Sequence, residues 1–326
     1  MSRSDGPVAI LFKDTSARIA AGILLILTLV AMGADVLPLA DPGAVDTSRR
    51  FAAPRLAPAT TTLSAEDAAR LAAAPGLAPA MRRALFGDTV IAPLFGTDEL
   101  GRCLLSRTVR GFRLSLAAAA VAATVTLLIG TTVGAFSGWN AGRTDALVMR
   151  FVDLADSVPV VFIVIFAVAF LRASGITDPS AKVVVFFATL GMVSWITMAR
   201  LVRASALALR TGAFIDASRA LGMSEPRIVF RHLLPNLVPV MIVALSLTVP
   251  RILLFESFLS FLGMGVEAPD LSLGTLARSG FAAFNPVDPR VHLLLVPGIA
   301  LALLLLALNV LGDAVRDAAD PRLPRP

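Results

Sequence analysis

The chain has 326 residues, 56% of them hydrophobic and only 16% charged, with a mean hydropathy of +0.81. Soluble domains carry roughly a quarter charged residues, so a water-soluble globule fits poorly, and the apolar residues gather in long blocks that suit a membrane domain. The net charge of +6 is almost all arginine, Lys13 and Lys182 being the only lysines, and it sits in loops between apolar runs without interleaved aromatics, a pattern that orients a chain in a bilayer and argues against nucleic acid as a partner.

Cys103 is the single cysteine. It excludes an intrachain disulfide and argues against a cysteine-based metal site. The two histidines, His232 and His292, share no metal-ligand spacing and read as interfacial or packing residues. Length alone allows one or two domains, and the block pattern favours one.

A helix crossing the roughly 30 Å hydrocarbon layer needs about 20 mostly apolar residues. Six segments qualify, giving an all-α membrane protein with six transmembrane helices: Ala17–Leu39, Leu114–Phe136, Phe151–Leu171, Val183–Arg200, Leu237–Phe258 and Leu293–Leu311. Residues 1–16 precede the first span and carry Arg3 and Lys13. The uncharged run Ile19–Ala34, with small residues near Gly33, resembles a cleavable signal peptide. It continues past Asp35 through Val36–Ala40, and an uncleaved anchor over 17–39 is the reading adopted.

Residues 40–113 form a long loop. Its first half, punctuated by Pro42, Pro54, Pro58, Pro75 and Pro79, reads as an irregular covering, apart from a short helix through Leu71 that Ser64 can cap. Its second half reads Gly96-Thr97-Asp98-Glu99-Leu100-Gly101-Arg102. Thr97 or Asp98 can cap a helix with Leu104, Leu105, Val109 and Phe112 on its apolar side, an amphipathic entry segment lying at the interface before span two. This segment is either an entry helix with solvated arginines or a contact for a substrate-delivering protein.

Span two carries Ala118, Ala122, Thr126, Gly130, Gly134 and Gly138 at every fourth position, a small-residue face for close helix packing. Asp153 and Asp156 open span three, and Glu256 lies near the end of span five. Ionisable groups in a membrane face a bundle interior or an aqueous path. The two aspartates read as structural, whereas Glu256, with Ser260, is a candidate either for a translocation path or for a hydrogen bond to a neighbouring helix.

Between spans four and five the segment Arg200–Pro235 is rich in arginine. Arg200, Arg203, Arg210, Arg219, Arg227 and Arg231 stand against Asp216 and Glu225, while the loop after span two has Arg143 and Arg150 and the tail 313–326 has Arg316, Arg322 and Arg325. The positive-inside rule puts these regions in the cytoplasm, and six spans then put both termini there. Arg102, Arg107, Arg110 and Arg113 fall on the outer side, in a loop longer than the roughly 60 residues over which the rule holds. Within 201–235, Ala213–Leu221 suits a short helix that Gly222 can end and that Pro226 prevents from continuing. Phe214, Ala217 and Leu221 share one side of it, a compact face for a groove on another protein.

This loop resembles the Glu-Ala-Ala signature of bacterial ABC-importer permeases. Asp216-Ala217-Ser218 stands for Glu-Ala-Ala, Gly222 is in place, and His232-x-Leu234-Pro235 falls at the expected distance. His232 in place of the generic Ile resembles the dipeptide/oligopeptide/nickel branch. So do the block Gly96–Arg102 with Ser106-Arg107, the block Glu256-x-x-Leu259-Ser260-Phe261-Leu262-Gly263-x-Gly265, and Pro297-Gly298 with Asn309-x-Leu311-Gly312-Asp313, Arg316-Asp317 and Asp320-Pro321-Arg322. Cys103 stands where an Asp is usual, and Leu273 before Gly274 departs from the usual Trp-Gly. The likeness covers roughly residues 91–325.

The resemblance implies a type I permease bundle, with a five-helix core over 114–312. Its coupling helix would seat Phe214, Asp216, Ala217, Ser218, Ala220, Leu221, Gly222 and Pro235 against an ATPase. It further implies a second homologous permease, two ATP-binding-cassette ATPases that hold ATP-Mg, and an extracytoplasmic solute-binding protein, with peptides as the favoured cargo. The chain itself has no Gly-x4-Gly-Lys-[Ser/Thr] phosphate loop, since neither Lys13 nor Lys182 follows a glycine, and no cofactor is expected in it. Two other readings compete: an ion-coupled secondary transporter using Glu256 and Asp153, which an inverted repeat would favour, and an intramembrane hydrolase, for which no nucleophile–base pair is found.

Overall fold

A computed structural model describes residues 14–55, 60–63, 65–175, 178–265 and 271–319. Arg3, Lys13, the Ser64 cap, Arg322, Arg325 and the Asp320-Pro321-Arg322 block lie outside the described residues. The helices, in chain order, are α1 (Thr15–Met32), α2 (Ala65–Ala73), α3 (Leu77–Phe86), α4 (Leu104–Asn140), α5 (Gly142–Asp156), α6 (Val160–Ala173) and α7 (Pro179–Leu209). There follow α8 (Ala213–Ala220), α9 (Glu225–Ile228), α10 (Leu234–Phe261), α11 (Leu273–Ala282) and α12 (His292–Ala319). Strands β1 (Thr60–Thr62) and β2 (Thr89–Ile91) pair antiparallel, with Thr61 opposite Val90.

Among the described residues, five stretches are long and apolar enough to cross a membrane: Thr15–Asp35, Leu104–Asn140, Ala181–Leu209, Glu225–Phe261 and His292–Ala318. The sixth expected span is not straight. Over Phe151–Leu171 the chain passes from α5 to α6 through a 75° bend, because Pro159 has no amide proton and pushes Val158 out of helical geometry. At about 1.5 Å per residue, α6 alone is too short for the hydrocarbon layer, so a sixth crossing requires α5 and α6 together.

The entry segment also differs from expectation. It does not lie apart from span two but is the first three turns of α4, one helix of 37 residues. Thr97 and Asp98 cap no helix. They belong to a tight turn closed by an isolated bridge between Thr97 and Cys103. Residues 41–90 are more regular than an irregular covering, since the two short helices α2 and α3 are held between the paired strands.

The chain divides into two compact units, one of 1–21, 118–253 and 307–326, the other of 22–117 and 254–306. In the first, the small-residue face of α4 meets α7. A Cβ added at Gly130 would stand 2.6 Å from Met198 Cβ, and one at Gly138 would stand 2.7 Å from Ala206 Cβ. Thr126 donates a hydrogen bond across the same seam to the Gly191 carbonyl at 3.1 Å. Ala135, Met198, Val202, Ala206, Leu233, Leu237 and Ala244 form a buried apolar cluster joining α4, α7 and α10. Asp145 of α5 grips Arg203 of α7 by both oxygens (2.5 and 2.6 Å), and Ser137 of α4 donates to the same carboxylate. Asp153 and Asp156 both pair with Arg200 at 2.9 Å, which gives these aspartates a structural partner.

In the second unit, Asp35 at the end of the first span pairs with Arg110 and Arg113 on α4. The turn 96–103 is a knot. Thr97, wholly buried, accepts the Ala52 amide at 2.9 Å and donates to the Arg49 carbonyl. Asp98 accepts the Leu100 and Arg102 amides and pairs with the guanidinium groups of Arg102 and Arg107. Gly101 takes a φ of +73° where the 46–52 strand of chain leaves no room for a side chain.

Candidate functional site

The segment 210–235 is built to hold a short helix by its back and present its front. Within α8 only Ile215 and Ser218 are buried. They lie three apart, on one side of a helix with 3.6 residues per turn. Ser218 turns its hydroxyl onto the Phe214 carbonyl at 2.8 Å, so its burial leaves no unmet polar atom. Around the rest of the helix Phe214, Asp216, Ala217 and Ala220, with Leu221 just past its end, are all exposed, Leu221 at 85%. Phe214 and Leu221, seven residues apart and so on one side of the helix, together expose an apolar patch of the kind that marks a contact surface.

Gly222 ends the helix as expected. Its φ is +77°, its amide bonds the Arg219 carbonyl (2.9 Å), and the Met223 amide bonds the Ser218 carbonyl (3.1 Å). This double closure satisfies the last carbonyls and fixes the exit direction of the chain. No atom lies within 4 Å of where a Gly222 side chain would begin, so glycine is required there by backbone conformation and not by crowding.

One arginine braces the loop. Arg219 bonds Glu225 at 3.0 Å, lies 3.6 Å from Asp216, and stacks its guanidinium 5.3 Å from the Trp139 ring centroid at the end of α4. The Glu225 hydrogen bond raises the Arg219 pKa above its ordinary value. Asp216 thus keeps an exposed carboxylate that one side of Arg219 steadies.

Beyond Pro226, α9 runs straight into α10 through a wide π turn, Val229–Leu233. Pro235, just past this turn, has no amide proton for the Arg231 carbonyl, so that carbonyl loses its ordinary intrahelical bond, and the Leu234 amide closes the wide turn onto the Val229 carbonyl. Asn236 donates its side-chain amide to the His232 carbonyl at 2.6 Å, meeting an acceptor the wide turn frees. Coupling segment and span five are therefore one continuous rod.

Glu256 and Ser260 are wholly buried. The carboxylate accepts from Ser260 at 2.7 Å and Ser257 at 3.2 Å. Gly274 of α11 lets that turn of α10 approach closely, since a Cβ there would stand 2.7 Å from Ser257 Cα. Leu273, buried in front of it, fills the place against Gly111 of α4. Ser257 and Ser260 both belong to α10, so these two hydrogen bonds hold the carboxylate within its own helix.

The sequence reading missed Asp145, Trp139 and the π turn ahead of Pro235. Asp145 had no local signal, since its partner Arg203 lies 58 positions away. Trp139 had none either.

The model of the family of binding-protein-dependent transport system inner membrane components matches residues 130–325. The oligopeptide transport system permease protein OppC of Haemophilus influenzae is 40% identical over 228 residues, 70% of this chain and 70% of that protein. OppC of Escherichia coli K12 is 39% identical over 70% of this chain and 72% of its own length. The dipeptide transport system permease protein DppC of Lactococcus lactis is 38% identical over 70% and 64%. Among solved structures, an inward-facing form of the MetNI methionine ABC transporter aligns over 66% of this chain and 97% of that one, at 23% identity and a TM-score of 0.53, a likeness of fold.

Proposed function

Because this chain belongs to the family of binding-protein-dependent transport system inner membrane components, and is thus a multi-pass membrane permease and not a catalytic subunit, we propose that it forms half of a peptide translocation path driven by separate ATPases through α8. A second homologous permease completes the path, two ATPases bind ATP-Mg, and a solute-binding protein delivers cargo from outside. Both termini and the loop 201–235 face the cytoplasm, and the loop 40–113 faces out, a reading that the arginine distribution supports. Peptide cargo is supported by the oligopeptide and dipeptide permeases among the relatives. Glu256 and Ser260 brace α10 against α11 beside the path.

The observation that carries the coupling role is the exposed face Phe214, Ala217 and Leu221 on a helix whose seat and exit are both fixed. An ion-coupled mechanism is not favoured, since Asp153 is held by Arg200 and Glu256 by serines.

The test is Phe214→Ala combined with Leu221→Ala. Leu221 is almost fully exposed and Phe214 is partly so, and the buried seat of α8 is left intact, so the thermal unfolding midpoint of the detergent-solubilised protein should move little. Recovery of the ATPase on affinity purification, and ATP-dependent peptide uptake in proteoliposomes, should each fall by about tenfold or more. Undiminished recovery and uptake would remove α8 from the coupling role.

A further inference from the structure

Two side chains, the buried Ser106 and the half-buried Arg82, line the same cavity in the loop 40–113 and its surroundings with buried hydrogen-bonding atoms that are unmet. The cavity has a volume of about 520 Å³ and is bordered by Asp41, Asp67, Arg70, Arg82, Ser106 and Arg110, among others. That size falls within the roughly 300–1,000 Å³ of small-molecule sites. Ser106 is 2% exposed, and its hydroxyl has no partner. Arg82 buries Nε and Nη2, and neither has an acceptor.

Those two nitrogens form one edge of the guanidinium, the fork that matches the two oxygens of a carboxylate. Elsewhere this chain fills the same edge with acids: Arg203 grips Asp145 through Nε and Nη2, and Arg219 approaches Glu225 in the same way. Arg82 has no such partner among the described residues. Asp41, the acid whose charge it feels, gives its Oδ1 to the Gly43 amide. Arg110 on the cavity wall is taken by Asp35. Leaving a buried guanidinium edge unbonded costs free energy that a bound acceptor recovers.

We propose that this cavity binds a small carboxylate-bearing solute, its carboxylate on the Nε–Nη2 edge of Arg82 and a further hydrogen bond from Ser106. Asp41 on the same wall adds affinity for an amine, so zwitterions such as short peptides or free amino acids fit better than simple anions. The site is independent of the translocation mechanism proposed above, and its test uses binding alone.

The full chain in lipid nanodiscs is titrated calorimetrically with trialanine, with trialanine amide and with acetate. Trialanine should bind saturably, the amide about tenfold or more weaker, and acetate measurably but less well than trialanine. Arg82→Gln should weaken trialanine by about tenfold or more, and Ser106→Ala by roughly severalfold. Equal binding of trialanine and its amide, or no saturable binding of either trialanine or acetate at millimolar concentration, overturns the proposal. So does trialanine binding that Arg82→Gln leaves unchanged. Should Arg82→Gln fail to fold, the amide comparison and Ser106→Ala decide the matter.

Discussion

Gly222 illustrates how one residue can be specified by backbone alone. Its φ of +77° lies in the left-handed region, and its surroundings are open. A Cβ there costs about 1 kcal/mol through conformation, whereas asparagine adopts this region more readily. Gly222→Ala should therefore lower ATP-driven uptake partially, Gly222→Asn less, and Gly222→Pro, which cannot reach a positive φ, should abolish it while the protein still inserts. Uptake by the three variants in proteoliposomes checks the order. This position was legible in the sequence, because glycine after a small amphipathic helix and before a proline has a plain conformational meaning. Asp145 was not. Its partner Arg203 lies 58 positions away, and nothing local marks a long-range ion pair.

At the scale of elements, hydropathy located the membrane segments well and their ends poorly. The apolar run across Val158–Val161 hid the bend that Pro159 imposes, and the charged first turns of α4 concealed that they continue into the span. Apolar content reports what lipid tolerates, whereas helix continuity depends on local hydrogen bonding, which a window average does not see. The paired strands over 60–62 and 89–91 were equally hidden, being three residues each with no clear alternation. The small-residue face of α4 was readable from its spacing. There Gly134→Val should be severe: its Cβ would stand 2.5 Å from the Ala199 carbonyl oxygen and 2.9 Å from Val202 Cβ. Backbone cannot yield as a side chain tip does, so a loss of about 1–3 kcal/mol or more is expected. A clear drop in the thermal unfolding midpoint, with Gly22→Val on the open side of α1 as the harmless counterpart, checks it.

For the molecule as a whole, the loop 40–113 is fastened to the helices by polar groups. The knot at 96–103 captures residues 46–52, and Asp46 caps the turn that follows it by accepting from Ser48. The Ser48 hydroxyl is the main reason that the Asp46 carboxyl is held below its ordinary 3.8. A carboxyl with a lowered pKa stabilises the fold above its unfolded value, and that contribution is lost as pH falls through the lowered value. Protection of the amides over residues 46–52, taken against each amide's intrinsic exchange rate at the same pH, should thus fall below about pH 4, whereas in Asp46→Asn it should be lower at neutral pH and change less with acidification.

The wide turn at 229–233 holds one more residue than a regular helix would use there. Deleting the exposed Phe230 or Arg231 should let the turn close into plain helix, with the residues on either side keeping their faces. Deleting one residue between 240 and 248 should instead rotate everything beyond it by about 100° and scramble the buried side of α10. Comparing the membrane yield and melting of the two kinds of deletion would reveal where this chain tolerates a change of length: at the single place in span five's rod where it already carries slack.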